Sequence, residues 1–365
     1  MIYVLYLTEL LLYVCFAFLM GSFLLQLIPE NKKPLIYVPK RGIQLSILGV
    51  VFFSLMPVVY LIFMLQENIG LSLTIQNVFS SFEVGKAWAF TLIISLFFYA
   101  FVSIFPVFKN KRYSLIALIF TVVLILTLSW AGHSASLTKT AGFIYHSIHF
   151  LAVSIWVGVL LVVGWFSKGK ENWLSFLKWF SPVAVVCFLF TVITGFMMMT
   201  LVIEVKDYAN SWVLNYGQAL LIKHLIILPI FFFAFINGFW VKKQLQNDLS
   251  FHPVPWVKAE SIVLLLTFSA TAILGQQPPA HGIDTTLKSN GMAPLFQYVY
   301  DGTIQTPVAV EFGLNAMNGL LFSLAAVFLI LLLLSFIKKA PAILAFMMSL
   351  FFVISMYLAL MLSIQ

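Results

Sequence analysis

Two imidazoles three residues apart, His146 and His149, sit in the otherwise apolar stretch GFIYHSIHFLAVSIWVGVLL at 142–161. At helical spacing the pair shares a face, with about 5–6 Å between Cβ atoms. Imidazole takes up protons near neutrality and is the commonest metal ligand, so the pair could bind a metal ion, ligate a haem or relay a proton. Other donors stand in similar surroundings: His224 directly after Lys223, the run Met197, Met198 and Met199, Glu9 near the start, and His133 in SWAGHSASL.

The elements that must hold these groups are membrane helices. The chain of 365 residues is 62% hydrophobic and 9% charged, whereas soluble domains carry about 25% charged residues. Apolar runs recur along its length, each able to cross the roughly 30 Å hydrocarbon core as a helix. Ten are expected, at 3–28, 43–65, 87–108, 113–131, 142–166, 179–203, 217–241, 259–275, 312–337 and 341–363. The first has no positive flank and no small-residue cleavage site, so it is expected to stay in the membrane. The fold class is therefore an all-α polytopic bundle of about ten transmembrane helices.

Charge sets the expected topology. The net charge of +8 is not a nucleic-acid signal, because 15 of the 20 basic residues fall in alternate loops: Lys32 to Arg41, Lys109 to Arg112, Lys168 to Lys178, Lys242 to Lys258, and Lys338 with Lys339. The positive-inside rule puts those loops in the cytoplasm and both termini outside, in a multi-pass protein of the plasma membrane. At 1.5 Å per residue, His146 and His149 then lie about 6 and 10 Å below the outer end of their helix, and His224 about 10 Å below its own. Met197, Met198 and Met199 come within about 6–9 Å of the outer end of their helix. Glu9 lies at a similar level, and His133 caps the outer end of the fourth helix. His281, after the turn GQQPPA, is expected near the outer mouth, and His252 belongs to an inner loop.

The chain divides into an N-terminal four-helix segment at 1–141, a four-helix core at 142–275, an extracytoplasmic loop at 276–311 and a C-terminal helix pair at 312–365. A loop that long with Pro278, Pro279, Pro294 and Pro307 is expected to be functional or mobile. The two cysteines, Cys15 and Cys187, fall mid-helix and read as small buried hydrophobes. No CxxC, GxGxxG, P-loop or HExxH pattern occurs, so neither a nucleotide site nor an enzyme is expected.

Ionisable groups in a bilayer are costly and mark function, so several at one depth point to a joint site. Imidazole with thioether favours a soft or borderline ion, Cu(I) above all, and an all-His site could also hold Cu(II) or zinc. The metal set is thus His146, His149, His224 and His133, with Met197, Met198, Met199, Glu9 and His281 as pathway or secondary ligands. Histidines on neighbouring helices can equally ligate b-type haem, which leaves a membrane redox protein as an alternative.

The stretch from His146 to about Ala280 resembles the copper resistance protein D family. HFLAVSIWVG carries the family's His leading into W-x-G. TVITGFMMM carries its Thr-Gly, and NYGQALLIKHLIILPIFFFAFING its Y-G-x-x-L-x-x-K and following Asn. AESIVLLLTFSATAILGQQPPA gives the Glu-led helix and double proline. The resemblance implies a copper-handling membrane protein that often works beside an extracytoplasmic copper-binding partner, here a separate polypeptide. It points to copper binding at the outer face and transport across the membrane, inward by the side on which the ligands gather, or to copper tolerance. Delivery of copper to a respiratory oxidase is a further alternative.

Overall fold

Long unbroken apolar runs have no route to stability in lipid except the helix, which satisfies every backbone N–H and C=O within the segment. The computed structural model describes residues 1–132, 138–248, 250–300, 302, 304 and 306–364. Among them ten helices are long and apolar enough to cross a membrane. The chain is an all-α multi-pass membrane protein. It forms two compact units, Met1–Leu201 with Asp248–Ser250, and Val202–Asn247 with Phe251–Gln365.

The first unit holds α1 (Ile2–Leu27), α2 (Lys40–Ile69), the short α3 (Leu71–Ser80), α4 (Glu83–Ile104), α5 (Lys111–Trp130), α6 (Lys139–Phe166) and α7 (Trp173–Thr200). The helix α1 is central and packs on α2, α5 and, most extensively, α6. What lets α1 and α6 approach is a pair of glycines. A Cβ on Gly21 would strike the Gly158 carbonyl, and one on Gly158 would strike the Ala17 carbonyl. Just beyond both helices, β1 (Leu35–Ile36) pairs antiparallel with β2 (Ser167–Lys168), Leu35 opposite Lys168 and Ile36 opposite Ser167. The two helices therefore run parallel, their C-terminal ends clipped together at the end that carries the basic loops. The helix α3 is an addition to the ten expected spans; it is only 10 residues long.

The second unit is built on α8 (Asn215–Phe235), which passes through a π-helical turn (Ile236–Trp240) into α9 (Val241–Asn247). It packs against α10 (Val254–Leu274) and α14 (Ala342–Met361), and α14 forms a hairpin with α13 (Ala316–Ile337). Part of the expected loop 276–311 is helical. It contains α11 (Ile283–Asn290) and α12 (Pro294–Val299), and it buries Ala280, Ala293 and Phe296. Ala293 N–H donates to the Val213 carbonyl (2.8 Å) and Val310 N–H to Asn210 Oδ1 (2.9 Å), which seats the segment on the turn that precedes α8.

Candidate functional site

In the first unit, α6 presents His146 and His149 to different neighbours. Thr138 caps the start of the helix, its hydroxyl accepting from Gly142 N–H at 3.1 Å. Four residues on, the His146 ring stacks on Phe150, with centroids 6.2 Å apart and planes at 11°. A Cβ at Gly132, beyond the end of α5, would run into the same imidazole. His149 turns towards α7, where its Nδ1 lies 3.1 Å from Thr194 Oγ1. So the expected single face divides: His146 towards α5 and the Phe150 ring, His149 towards α7.

The Thr194 contact fixes the chemistry of His149. A threonine hydroxyl has one proton, and Thr194 donates it to the Phe190 carbonyl one turn back. With that proton on the carbonyl, the oxygen accepts from the ring, and a neutral imidazole then carries its proton on Nδ1 and its lone pair on Nε2. Metal-ligating histidines characteristically donate their other N–H in this way. Gly195 completes the seat, since a Cβ there would stand 3.3 Å from His149 Cε1. Met198 lies one turn from Thr194 and shares its face, half-buried like Met199, whereas Met197 is 40% exposed.

Glu9 is brought in by register. Tyr13 packs edge-on against Phe150 with centroids 5.6 Å apart, and Gly21 meets Gly158. Both contacts have the same sequence offset in two parallel helices, and that offset sets Glu9 level with His146. Its carboxylate accepts a hydrogen bond from Tyr13 OH at 2.6 Å. Further along α1 and α6, Ser22 Oγ, Ser154 Oγ and Trp156 Nε1 are buried without a hydrogen-bond partner among the described residues, the Trp156 ring packing on Phe188 of α7. A separate cavity of about 580 Å³, lined by Phe90, Ile94, Leu126, Trp130 and Phe143, is apolar and includes none of the candidate ligands.

In the second unit, His224 Nδ1 lies 2.7 Å from Tyr208 OH, in the turn that precedes α8. Burial pushes the Tyr208 phenol up to about 12, so it keeps its proton at any physiological pH. Gly217 is required here because a Cβ would collide with the Ser211 carbonyl. Gln218 then donates to the Trp212 carbonyl at 2.6 Å and accepts from Tyr357 OH. At the far end of α8, Asn237 Nδ2 donates to Glu260 Oε2 at 2.7 Å, both residues being buried.

Of the residues expected to share a site, Glu9, His146, His149 and Met198 gather at one end of the first unit. His224 belongs to the other unit, with its own hydroxyl partner. His281 is exposed in the second unit, and His133 lies outside the described residues. Among the described residues no three of His, Cys, Asp and Glu come together as a metal group. The partners Thr194, Tyr13 and Tyr208, and the Asn237–Glu260 pair, were not among the expected site residues. Glu260 had a signal, being a carboxyl at the start of an expected span.

These features define a multi-pass membrane protein that places imidazole, thioether and carboxylate groups within its spans. Two family models match: copper resistance protein D-like, N-terminal domain, over residues 1–143, and copper resistance protein D over residues 174–274. The chain belongs to the copper resistance protein D family. Glu9 falls in the first match and Thr194, Lys223 and Glu260 in the second, while His146, His149 and Gly158 lie between the two. No curated protein and no solved structure matches the chain.

Proposed function

We propose that the protein binds copper as its cargo at the outer end of the first unit and carries it inward across the plasma membrane. The ligands are His149 through Nε2, Met198 from the facing helix, and His146 with Glu9 at the level above. The observation that carries this reading is the Thr194–His149 hydrogen bond, which sets the imidazole lone pair on the nitrogen that a metal would bind. The donor set favours Cu(I): thioether and imidazole suit a soft ion, and one carboxylate is too few for a hard one. The family link to copper resistance agrees with this cargo. Basic loops at the opposite end orient the ligands outward, where an importer captures its ion, and an extracytoplasmic copper-binding protein is the natural donor. The buried hydroxyls of Ser22 and Ser154 lie further inward along α1 and α6.

The test is Cu(I) binding by the purified protein in competition with a chromogenic chelator, paired with copper accumulation in cells. His149→Ala and Met198→Leu are expected to lower both, and His252→Ala to lower neither. Full binding in the His149 and Met198 variants would reject this site, and Soret and α bands in the purified protein would replace copper by haem.

A further inference from the structure

We propose that Asn237 and Glu260 form a membrane-buried acid–amide pair in which the Glu260 carboxyl takes up and releases a proton. Asn237 is 4% and Glu260 2% exposed. The two N–H groups of the Asn237 amide are both engaged: Nδ2 donates to Glu260 Oε2 at 2.7 Å and to the Trp256 carbonyl at 3.2 Å. The amide oxygen Oδ1 is buried with no hydrogen-bond partner among the described residues. A buried acceptor without a donor is costly.

A carboxylate beside it cannot relieve that cost, since a carboxylate only accepts. A carboxylic acid can. A neutral acid and a primary amide are complementary, N–H to one carboxyl oxygen and O–H back to the amide oxygen, so one proton on Glu260 supplies the donor that Asn237 Oδ1 lacks. Loading is the simple addition of H⁺ to a carboxyl oxygen, and unloading returns it to water. A metal ion fits this place less well. Hard cations take six or more oxygens, and Cu(I) takes sulfur and nitrogen, whereas the pair offers only a few oxygens.

The local fold supports the assignment. Asn237 sits in the π turn, a helix irregularity that recurs at functional positions. The Trp256 ring packs on Phe336 with centroids 4.9 Å apart, and Trp240 on the same Phe336 at 5.7 Å, forming an aromatic cluster at this end of the unit. The elements packed on α10 bring few titratable groups. The ionisable residues of α8 are Tyr216, Lys223 and His224, all in its other half, and α14 contributes only Tyr357. The continuation α9 brings Lys242 and Lys243. On α10 itself Lys258 is two positions away, and residues so spaced point to different sides of a helix.

In its use the inference rests on the transport reading, because an ion moved against its gradient needs a coupled one. The proton site itself can be tested apart from copper. Infrared difference spectra of the purified protein should show the C=O stretch of a protonated carboxyl at neutral pH. That band should be lost in Glu260→Gln, shifted in Asn237→Leu, and converted reversibly to a carboxylate band as pH rises with the protein still folded. Glu260→Gln keeps an N–H donor for Asn237 Oδ1 and should fold normally. The absence of such a band, or its persistence in Glu260→Gln, overturns the proposal, and so does a band that never converts below the unfolding pH. Cells that fail to accumulate copper would count against the proposed function and leave this spectrum unchanged.

Discussion

Gly21 and Gly158 meet backbone to backbone where α1 crosses α6. The crossing fixes the register of the two helices, and through it the level at which Glu9 stands beside His146. Larger residues there must push the helices apart. Gly158→Leu is expected to destabilise the protein by about 1–3 kcal/mol, the usual range for overpacking, and Gly21→Leu by a similar amount. Gly319, in α13, has nothing within 4 Å of an added Cβ. Gly319→Ala should be neutral or gain up to about 1 kcal/mol in helix propensity. Thermal unfolding in detergent measures all three, and equal effects at Gly158 and Gly319 would contradict the crossing.

In the proposed site Thr194 would reach copper only through His149. Thr194→Val keeps the shape, removes the acceptor and frees the ring to adopt the other tautomer. Cu(I) affinity should fall about 10–100-fold, as for other partners of metal-bound histidines, and Thr194→Ser should restore most of it. Unchanged affinity in Thr194→Val, measured by chelator competition, would detach the hydrogen bond from metal binding.

Topology gives an independent check. A reporter fused after Asn110 should lie in the cytoplasm, and one after Asn290 outside, because basic residues mark the inner loops. Both reporters on one side would invert the assignment of one unit, and with it the outer position of its ligands.

The spans were legible because lipid leaves the chain a single solution: an apolar run of sufficient length is a helix, and all ten appear. Contacts between helices were less legible. Gly158 could be read as a place of close approach, but its partner Gly21 lies far away in sequence and carries no periodic signal. Likewise, three-residue spacing predicted one shared face for His146 and His149. It could not show that Thr194 draws one ring towards α7 while Phe150 and Gly132 hold the other. The common depth of His149 and His224 was a statement about distance along the membrane normal. Lateral position depends on packing, and packing places the two in different compact units. Glu260 read only as the residue that opens its helix; its meaning emerges when the π turn brings Asn237 opposite.

The backbone contact between Gly21 and Gly158 also divides labour during motion. Where Gly21 meets Gly158 no side chain stands between the helices, so α1 and α6 have little room to slide past one another. The other wall of the candidate copper site is different. Only 17% of the most apolar stretch of α7 is buried, against 72% of that of α6. Within the unit α7 leans chiefly on α6, and Pro182 removes one of its internal hydrogen bonds. If the proposed site opens, α7 is the wall with the fewest contacts to break, and the His149–Thr194 hydrogen bond is the tie that holds it to α6.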